Sequence, residues 1–353
     1  MSEKPASRNN GSNTYDVAVL GGGSFGTAMA KVLGENGHAV HFWMRDEGQA
    51  EEIRSTRINH RYMPGVTLEG DIRPTTDLAE AVGKAEIVLV AIPSKAFRAV
   101  IREHSTEFFD GQIVVSLTKG IEEHGFKLMS EILIEELPRC RSGVLSGPNL
   151  AAEIVNRELT ATVIAAKDPE VRRTVQELLG CEYFRVYANV DVYGVELAGA
   201  LKNIYAIVAG LASALNMGEN ARAMLITRGL AEMSRFAVSL GANPMTFMGL
   251  AGVGDLIATC TSSKSRNFRV GYAIGKGKKL DEAVQELGQV AEGIYTLKLV
   301  REKSEAIGIY MPLVRGLYEI LYEGASINAV ISSLMMAVQN SDVEFILPRT
   351  IAQ

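Results

Sequence analysis

Val17 to Asp46 reads VAVLGGGSFGTAMAKVLGENGHAVHFWMRD, and this stretch decides the fold. An apolar run ends in glycines, a segment with Ala, Met, Val and Leu at helical spacing follows, and a second apolar run, AVHFW, closes the unit. The order is strand, turn, helix, strand. Gly21, Gly23 and Gly26 fall on G-x-G-x-x-G between the first strand and the helix. In that context the first glycine permits the tight turn, the second lets backbone approach a pyrophosphate, and the third packs helix against sheet. The N–H groups at the helix start then favour a phosphate. A glycine-rich turn without a ligand would show the same letters, but the strand-turn-helix setting favours a dinucleotide.

The second strand runs into Arg45 and Asp46. A carboxylate there accepts from the ribose hydroxyls of NAD, whereas an arginine accommodates the extra phosphate of NADP. The letters do not force a choice. The expectation is use of both cofactors, NAD(P)H, with the phosphate tolerated through Arg45.

Further Val- and Ile-rich runs alternate with helical patterns: EIVLVAI (86–92), QIVVSL (112–117), GVLSG (143–147), TATVIAA (160–166) and FRVYA (184–188). Continuous apolar strands between helices predict a parallel sheet covered on both faces. Beyond about Val190 strands disappear, and Ala, Gly and Leu recur at helical spacing. The fold class expected is α/β: a doubly wound, mainly parallel Rossmann-type sheet followed by an all-α C-terminal domain. The divisions expected are a disordered tail at 1–14, a dinucleotide-binding domain at 15–193 and a helical substrate domain at 194–353.

Bulk properties narrow the partners. The chain has 353 residues, 47% of them hydrophobic and 22% charged, as in ordinary globular proteins, and the length suggests about two domains. A net charge of −5 gives no basic field for nucleic acid, so any anion must be caught by local donors. The tail MSEKPASRNNGSNT lacks the apolar core of a signal peptide. The three cysteines, Cys140, Cys181 and Cys260, form no CxxC pair, so neither a metal site nor a disulfide framework is expected, and a reducing cytoplasm suits them. Asn203 to Leu215 is uncharged for only 13 residues, against roughly 20 for a bilayer span, so a buried helix is expected there.

All five histidines lie at or before His124, so the helical half must move any proton without one. Lys202 sits in AGALKNIYAIVAG among small and apolar side chains. Its amine either snorkels to water or faces a polar pocket. Glu196, Gly199, Lys202 and Asn203 recur at helical spacing and can share one polar stripe. A partly desolvated lysine exchanges protons nearer neutrality. Farther on, Gly252 and Gly254 bracket a loop presenting Asp255, and Ser263 to Arg269 gathers Ser265, Arg266, Asn267 and Lys264 into an anion trap suited to phosphate. AIPSKA (91–96), SLTKG (116–120) and SGPNLA (146–151) stand at strand ends, where open α/β sheets bind ligands, and Lys119 is the cation that the second brings. Together these parts imply hydride transfer to a phosphorylated carbonyl compound.

GGGSFGTAMA, SLTKGIE, LSGPNLAAEI, ELAGALKNIYAIVAG, AGVGDLIATCTSSKSRN and VAEGIYT, in this order, resemble NAD(P)-dependent glycerol-3-phosphate dehydrogenase of the bacterial type. The resemblance implies reversible reduction of dihydroxyacetone phosphate to sn-glycerol 3-phosphate for phospholipid synthesis. It implies that Ser24 and Phe25 contact the dinucleotide, with Arg45, Tyr62 and Ala151 near it, and that Val290 and Glu292 complete the site. It further implies that Lys119, Gly147, Asn149, Ser265, Arg266 and Asn267 hold substrate, Lys119 and Arg266 also touching cofactor. Lys202 corresponds to the proton-transfer residue, with Asp255 beside it. Phe25, Asn149 and Gly22 depart from the residues common in that family, and Gly22 is expected to loosen the turn. The alternatives are a related dehydrogenase acting on a hydroxy acid, such as ketopantoate, and an inactive nucleotide sensor. The small residues after 195 also suit packing against a second subunit, as a homodimer.

Overall fold

The structure, a computed structural model, describes residues 14–288 and 291–336; the expected tail, apart from Thr14, and the Val290 assignment lie outside the described residues. Eight strands form one sheet: β1 (Asp16–Leu20), β2 (Ala39–Trp43), β3 (Ile72–Thr75), β4 (Ile87–Val90), β5 (Ile113–Ser116), β6 (Arg141–Ser146), β7 (Thr160–Ala165) and β8 (Phe184–Asn189). Their order is β3-β2-β1-β4-β5-β6-β7-β8. Every neighbouring pair is parallel except β6 with β7. The chain leaves β1 in one direction towards β2 and β3 and returns to β4 on its other side, so the switch point lies at the carboxyl ends of β1 and β4.

Alternation along the strands sorts the core into two faces. Val17, Val19, Ile87 and Leu89 enter one buried cluster, with Met29, Leu33 and Phe42. Ala18, Leu20, Val88 and Val90 enter the other, with Phe97 and Ile132. The helices that supply these partners are α1 (Ser24–Glu35), α2 (Glu47–Thr56), α3 (Leu78–Gly83), α4 (Ser94–Glu103), α5 (Met129–Glu136), α6 (Ala151–Ile154) and α7 (Pro169–Leu179). Strand β3 has no counterpart among the apolar runs read from the sequence. It is an edge strand of four residues that includes Pro74, and a proline without an N–H is tolerated at an edge.

After β8 the chain is helical: α8 (Val192–Ala214), α9 (Glu219–Ser239), α10 (Asp255–Thr261), α11 (Arg266–Gly275), α12 (Leu280–Leu287), α13 (Glu292–Ala306), α14 (Pro312–Tyr322) and α15 (Ile327–Met336). Helix α8 is long and apolar enough to cross a membrane, but 89% of its apolar window is buried inside the protein. It is the central helix of this half. Glycines on both helices let α8 and α11 approach closely: a methyl group on Gly210 of α8 would lie 2.8 Å from the Tyr272 nitrogen, and one on Gly271 of α11 would lie 2.7 Å from the Ile207 carbonyl carbon. These two glycines are therefore used in packing within the chain.

Candidate active site

The glycine turn has the geometry that its spacing implies. Gly21 has φ +124°, and a Cβ there would lie 2.6 Å from the Ala91 carbonyl oxygen. A Cβ on Gly26 would collide with the Gly21 carbonyl, which fixes α1 against the end of β1. Gly23 has nothing within 4 Å of its missing side chain, so backbone there is open to a ligand. Gly23 is also the N-cap of α1 and supplies no side-chain acceptor, which leaves N–H groups at Ser24 and Phe25 for an anion. A cradle of this shape fits a pyrophosphate. Gly22, contrary to the loosening expected, is crowded and pinned: its carbonyl accepts from Gln49 Nε2 at 2.6 Å and Asn59 Nδ2 at 3.0 Å.

At the tip of β2 the two side chains have different surroundings. Asp46 is the N-cap of α2 and accepts from Gln49 N at 2.8 Å, whereas Arg45 is exposed with no partner among the described residues. On the far side of the turn, Glu292 opens α13 and accepts from Ser94 N at 3.2 Å and Ser94 Oγ at 2.7 Å. Arg266, the first residue of α11, opens onto solvent. The protein crowded around it pushes its guanidinium below the ordinary value, opposed by Glu292 and the Tyr62 ring. Arg266, Glu292 and Tyr62 are thus electrostatic neighbours.

Two lysines meet on one carboxylate. Lys202, 6% exposed, lies 2.8 Å from Asp255 Oδ1 and donates to Thr259 Oγ1. Lys119 donates to Asp255 Oδ2 at 2.7 Å and to the Gly147 carbonyl at 2.8 Å. The Lys202 amine therefore faces a polar pocket and does not snorkel. Burial pushes Lys119 down to about 8; Asp255 opposes that shift and the neighbouring Lys202 adds to it. Two ammonium groups on one carboxylate leave net positive charge at the point where the halves meet, which suits an oxygen gaining negative charge. Gly199 makes room: a Cβ there would lie 2.5 Å from Ser146 Oγ and 3.6 Å from Lys119 Cγ.

The sequence places Asp255 in a loop. It is the first residue of α10, entered through one turn of π-helix at Leu250–Gly254, a local widening common at functional sites. Side chains of the expected anion trap also have partners within the protein. Lys264 pairs with Glu153 at 3.0 Å, Ser265 caps α11 through Phe268 N at 3.3 Å, and Asn267 donates to Asn203 Oδ1 at 3.0 Å while accepting from Gly293 N at 3.1 Å. The Arg266 side chain has no hydrogen-bond or ion-pair partner among the described residues. Asn149 donates to Thr162 Oγ1 at 2.9 Å, and its buried Oδ1 has no partner among the described residues.

Residues 16–172 match the N-terminal model of NAD-dependent glycerol-3-phosphate dehydrogenase, and residues 191–332 match its C-terminal model. The chain belongs to this family. A curated glycerol-3-phosphate dehydrogenase [NAD(P)+] of Pseudomonas entomophila is 58% identical over 94% of this chain and 96% of its own length. A glycerol-3-phosphate dehydrogenase structure from Coxiella burnetii is similar with TM-score 0.88 and 36% identity, covering 92% of this chain and 99% of that one. One from Saccharomyces cerevisiae has TM-score 0.80 and 29% identity, covering 91% and 99%.

Within the family frame, the structure adds residues that the motifs did not single out. Thr259 joins Lys202 and Asp255, and its position four residues after Asp255 puts it on the same helix face. Ser94 ties Glu292 to the start of α4, and only its place at a strand end pointed to it. Phe25 is half-buried and packs on the sheet core, and Ala151 opens α6 beside it in the same cluster.

Proposed function

We propose that this chain reversibly reduces dihydroxyacetone phosphate to sn-glycerol 3-phosphate with NADPH or NADH, and so supplies glycerophospholipid synthesis. The observation that carries the reading is the pair of lysines on Asp255, standing at the strand ends beside a glycine turn shaped for a dinucleotide. Gly21, Gly23, Ser24, Phe25 and Gly26 hold the pyrophosphate end, Arg45, Tyr62 and Ala151 the adenosine end, and Lys119, Arg266, Val290 and Glu292 the remainder. When bound, the reduced nicotinamide supplies the hydride for the carbonyl carbon.

The chain supplies the rest. Lys202, as ammonium, gives its proton to the developing alkoxide, and its neutral amine takes that proton back in the reverse direction. Asp255 holds the ammonium aligned, and Lys119 adds positive charge at the same oxygen. Arg266 binds the substrate phosphate together with Ser265 and Asn267, and Gly147 and Asn149 line the opposite side. Binding energy from the phosphate then lowers the barrier at the carbonyl. Following NADPH absorbance with dihydroxyacetone phosphate tests the reading. Turnover that depends on the phosphate and falls in Arg266→Ala supports it, and equal turnover of a carboxylated ketone overturns it.

A cytoplasmic location agrees with three free cysteines. A homodimer is also part of the proposal, supported by Tyr187, Val190, Met245 and Met248, which expose apolar side chains along and beside a groove at the β8 edge. Light scattering at the mass of one chain would remove it.

A further inference from the structure

We propose that Glu196 is a positioning residue: from α8 it grips the N-terminus of α5, and so holds the segment carrying Lys119 at the place where Lys119 and Lys202 share Asp255. This rests on the reading of both lysines as cations at the reacting oxygen.

The first N–H groups of a helix have no intrahelical acceptor, and a polar N-cap side chain ordinarily supplies one. Helix α5 has leucine at that place, Leu128, which cannot. Its acceptor comes from the other half of the chain. Glu196 accepts from Ser130 N at 3.1 Å and Ser130 Oγ at 2.5 Å. The carboxyl is 2% exposed, so it is out of reach of solvent and committed to this contact. The polar stripe expected on α8 is thus divided, with Lys202 and Asn203 in the cleft and Glu196 turned to α5.

Leu128, relieved of capping, is fully buried in the core of the helical half, where Leu197 and Leu201 also sit. Ile121 enters the same core and bridges Leu128 in antiparallel fashion, and Glu122 N donates to the Lys127 carbonyl at 2.8 Å. The connection from β5 to α5 is therefore a small hairpin lying on the helical half. Lys119 is two residues before Ile121 at one end, and the Glu196 grip is at the other. Glu196 and Lys202 are on one rigid helix, about 9 Å apart along its axis. One carboxyl thereby fixes the element bearing one lysine to the element bearing the other.

Lys119 reports on the grip. Burial holds its amine at about 8, with Asp255 of α10 opposing and Lys202 of α8 assisting, and the Gly147 carbonyl accepting from it. Loosening the hairpin lets the amine move towards water and regain its ordinary value. The alkaline limb of kcat/KM then moves to higher pH.

The experiment compares Glu196→Ala, Glu196→Gln, Ser130→Ala and Lys119→Ala by steady-state kinetics across pH, NADPH affinity and denaturant unfolding. Glu196→Ala should lower kcat on the order of 10–100-fold, as sub-ångström misplacement does, with a smaller change in NADPH affinity and an upward shift of the alkaline limb. Glu196→Gln keeps an acceptor and should restore most of kcat. Should Glu196→Ala not fold, Ser130→Ala carries the test, with a partial fall in kcat and a shift in the same direction. Native kcat and an unmoved alkaline limb overturn the proposal, as does a loss accounted for by unfolded protein. If Lys119→Ala is slow while Glu196→Ala is not, the grip alone is wrong. If Lys119→Ala turns over normally, the reading of the site fails with it.

Discussion

Gly271→Ala sets two helix effects against each other. Alanine in a helix interior is favoured over glycine by about 0.8–1.0 kcal/mol, so an exposed site would gain stability. Gly271 is where α11 crosses α8. A methyl carbon there would lie 2.7 Å from the Ile207 carbonyl carbon and 2.9 Å from its Cα, with the oxygen nearer still. Ordinary contact begins at 3.4 Å, so backbone must give way and no flexible side chain can do so for it. Overpacking costs roughly 1–3 kcal/mol, and the net change should be a loss of up to about 2 kcal/mol. The functional effect should be larger. Arg266 and Asn267 open the same helix, and the 3.0 Å bond from Asn267 to Asn203 ties it to the helix bearing Lys202. Parting the helices by about 1 Å breaks that bond and should lower kcat/KM for dihydroxyacetone phosphate by roughly 100-fold. Denaturant unfolding and NADPH-coupled kinetics read both effects. A variant more stable than the parent, with unchanged kcat/KM, would refute the crossing as the element that aligns the site.

Other substitutions test separate parts. Asp255→Asn leaves two ammonium groups without their shared partner and should destabilise the fold by about 3–5 kcal/mol in denaturant titration, with kcat falling as well. Arg45→Ala should weaken NADPH binding more than NADH binding, because the arginine is free while Asp46 caps α2; an unchanged affinity ratio contradicts the assignment. Burial raises Glu232 from the ordinary 4.5 to about 7, with the Leu313 and Val314 N–H groups acting against it. Its folded state keeps a proton that the unfolded chain releases, so its contribution is complete below about 4.5 and is lost as pH rises through 7, a change of roughly 3 kcal/mol. Glu232→Gln should remove that slope from stability measured between pH 5 and pH 8.

Much of the fold was legible because the sheet is buried on both faces. Seven strands announce themselves as apolar runs, and the glycine spacing marks the switch point. Strand β3 was not legible, since a four-residue edge with a proline is specified by its neighbour β2 and not by its own pattern. Lys202 and Asp255 stood out because charge is costly among apolar residues. How Lys119 joins them was hidden, because the pairing links residues 136 positions apart and depends on the two halves meeting. The partners of the donor cluster from Ser263 to Arg269 were hidden for a related reason: composition counts donors, but not that Ser265 caps a helix, Asn267 bonds a neighbouring helix and Lys264 pairs with Glu153.

The central claim is that the Lys202 amine protonates the reacting oxygen. Its most direct test is turnover of dihydroxyacetone phosphate by Lys202→Ala under saturating NADPH, with NADPH affinity measured on the same protein. A severe fall in kcat with cofactor affinity little changed is the predicted result. Near-native turnover would contradict it, whatever the rest of the cleft does.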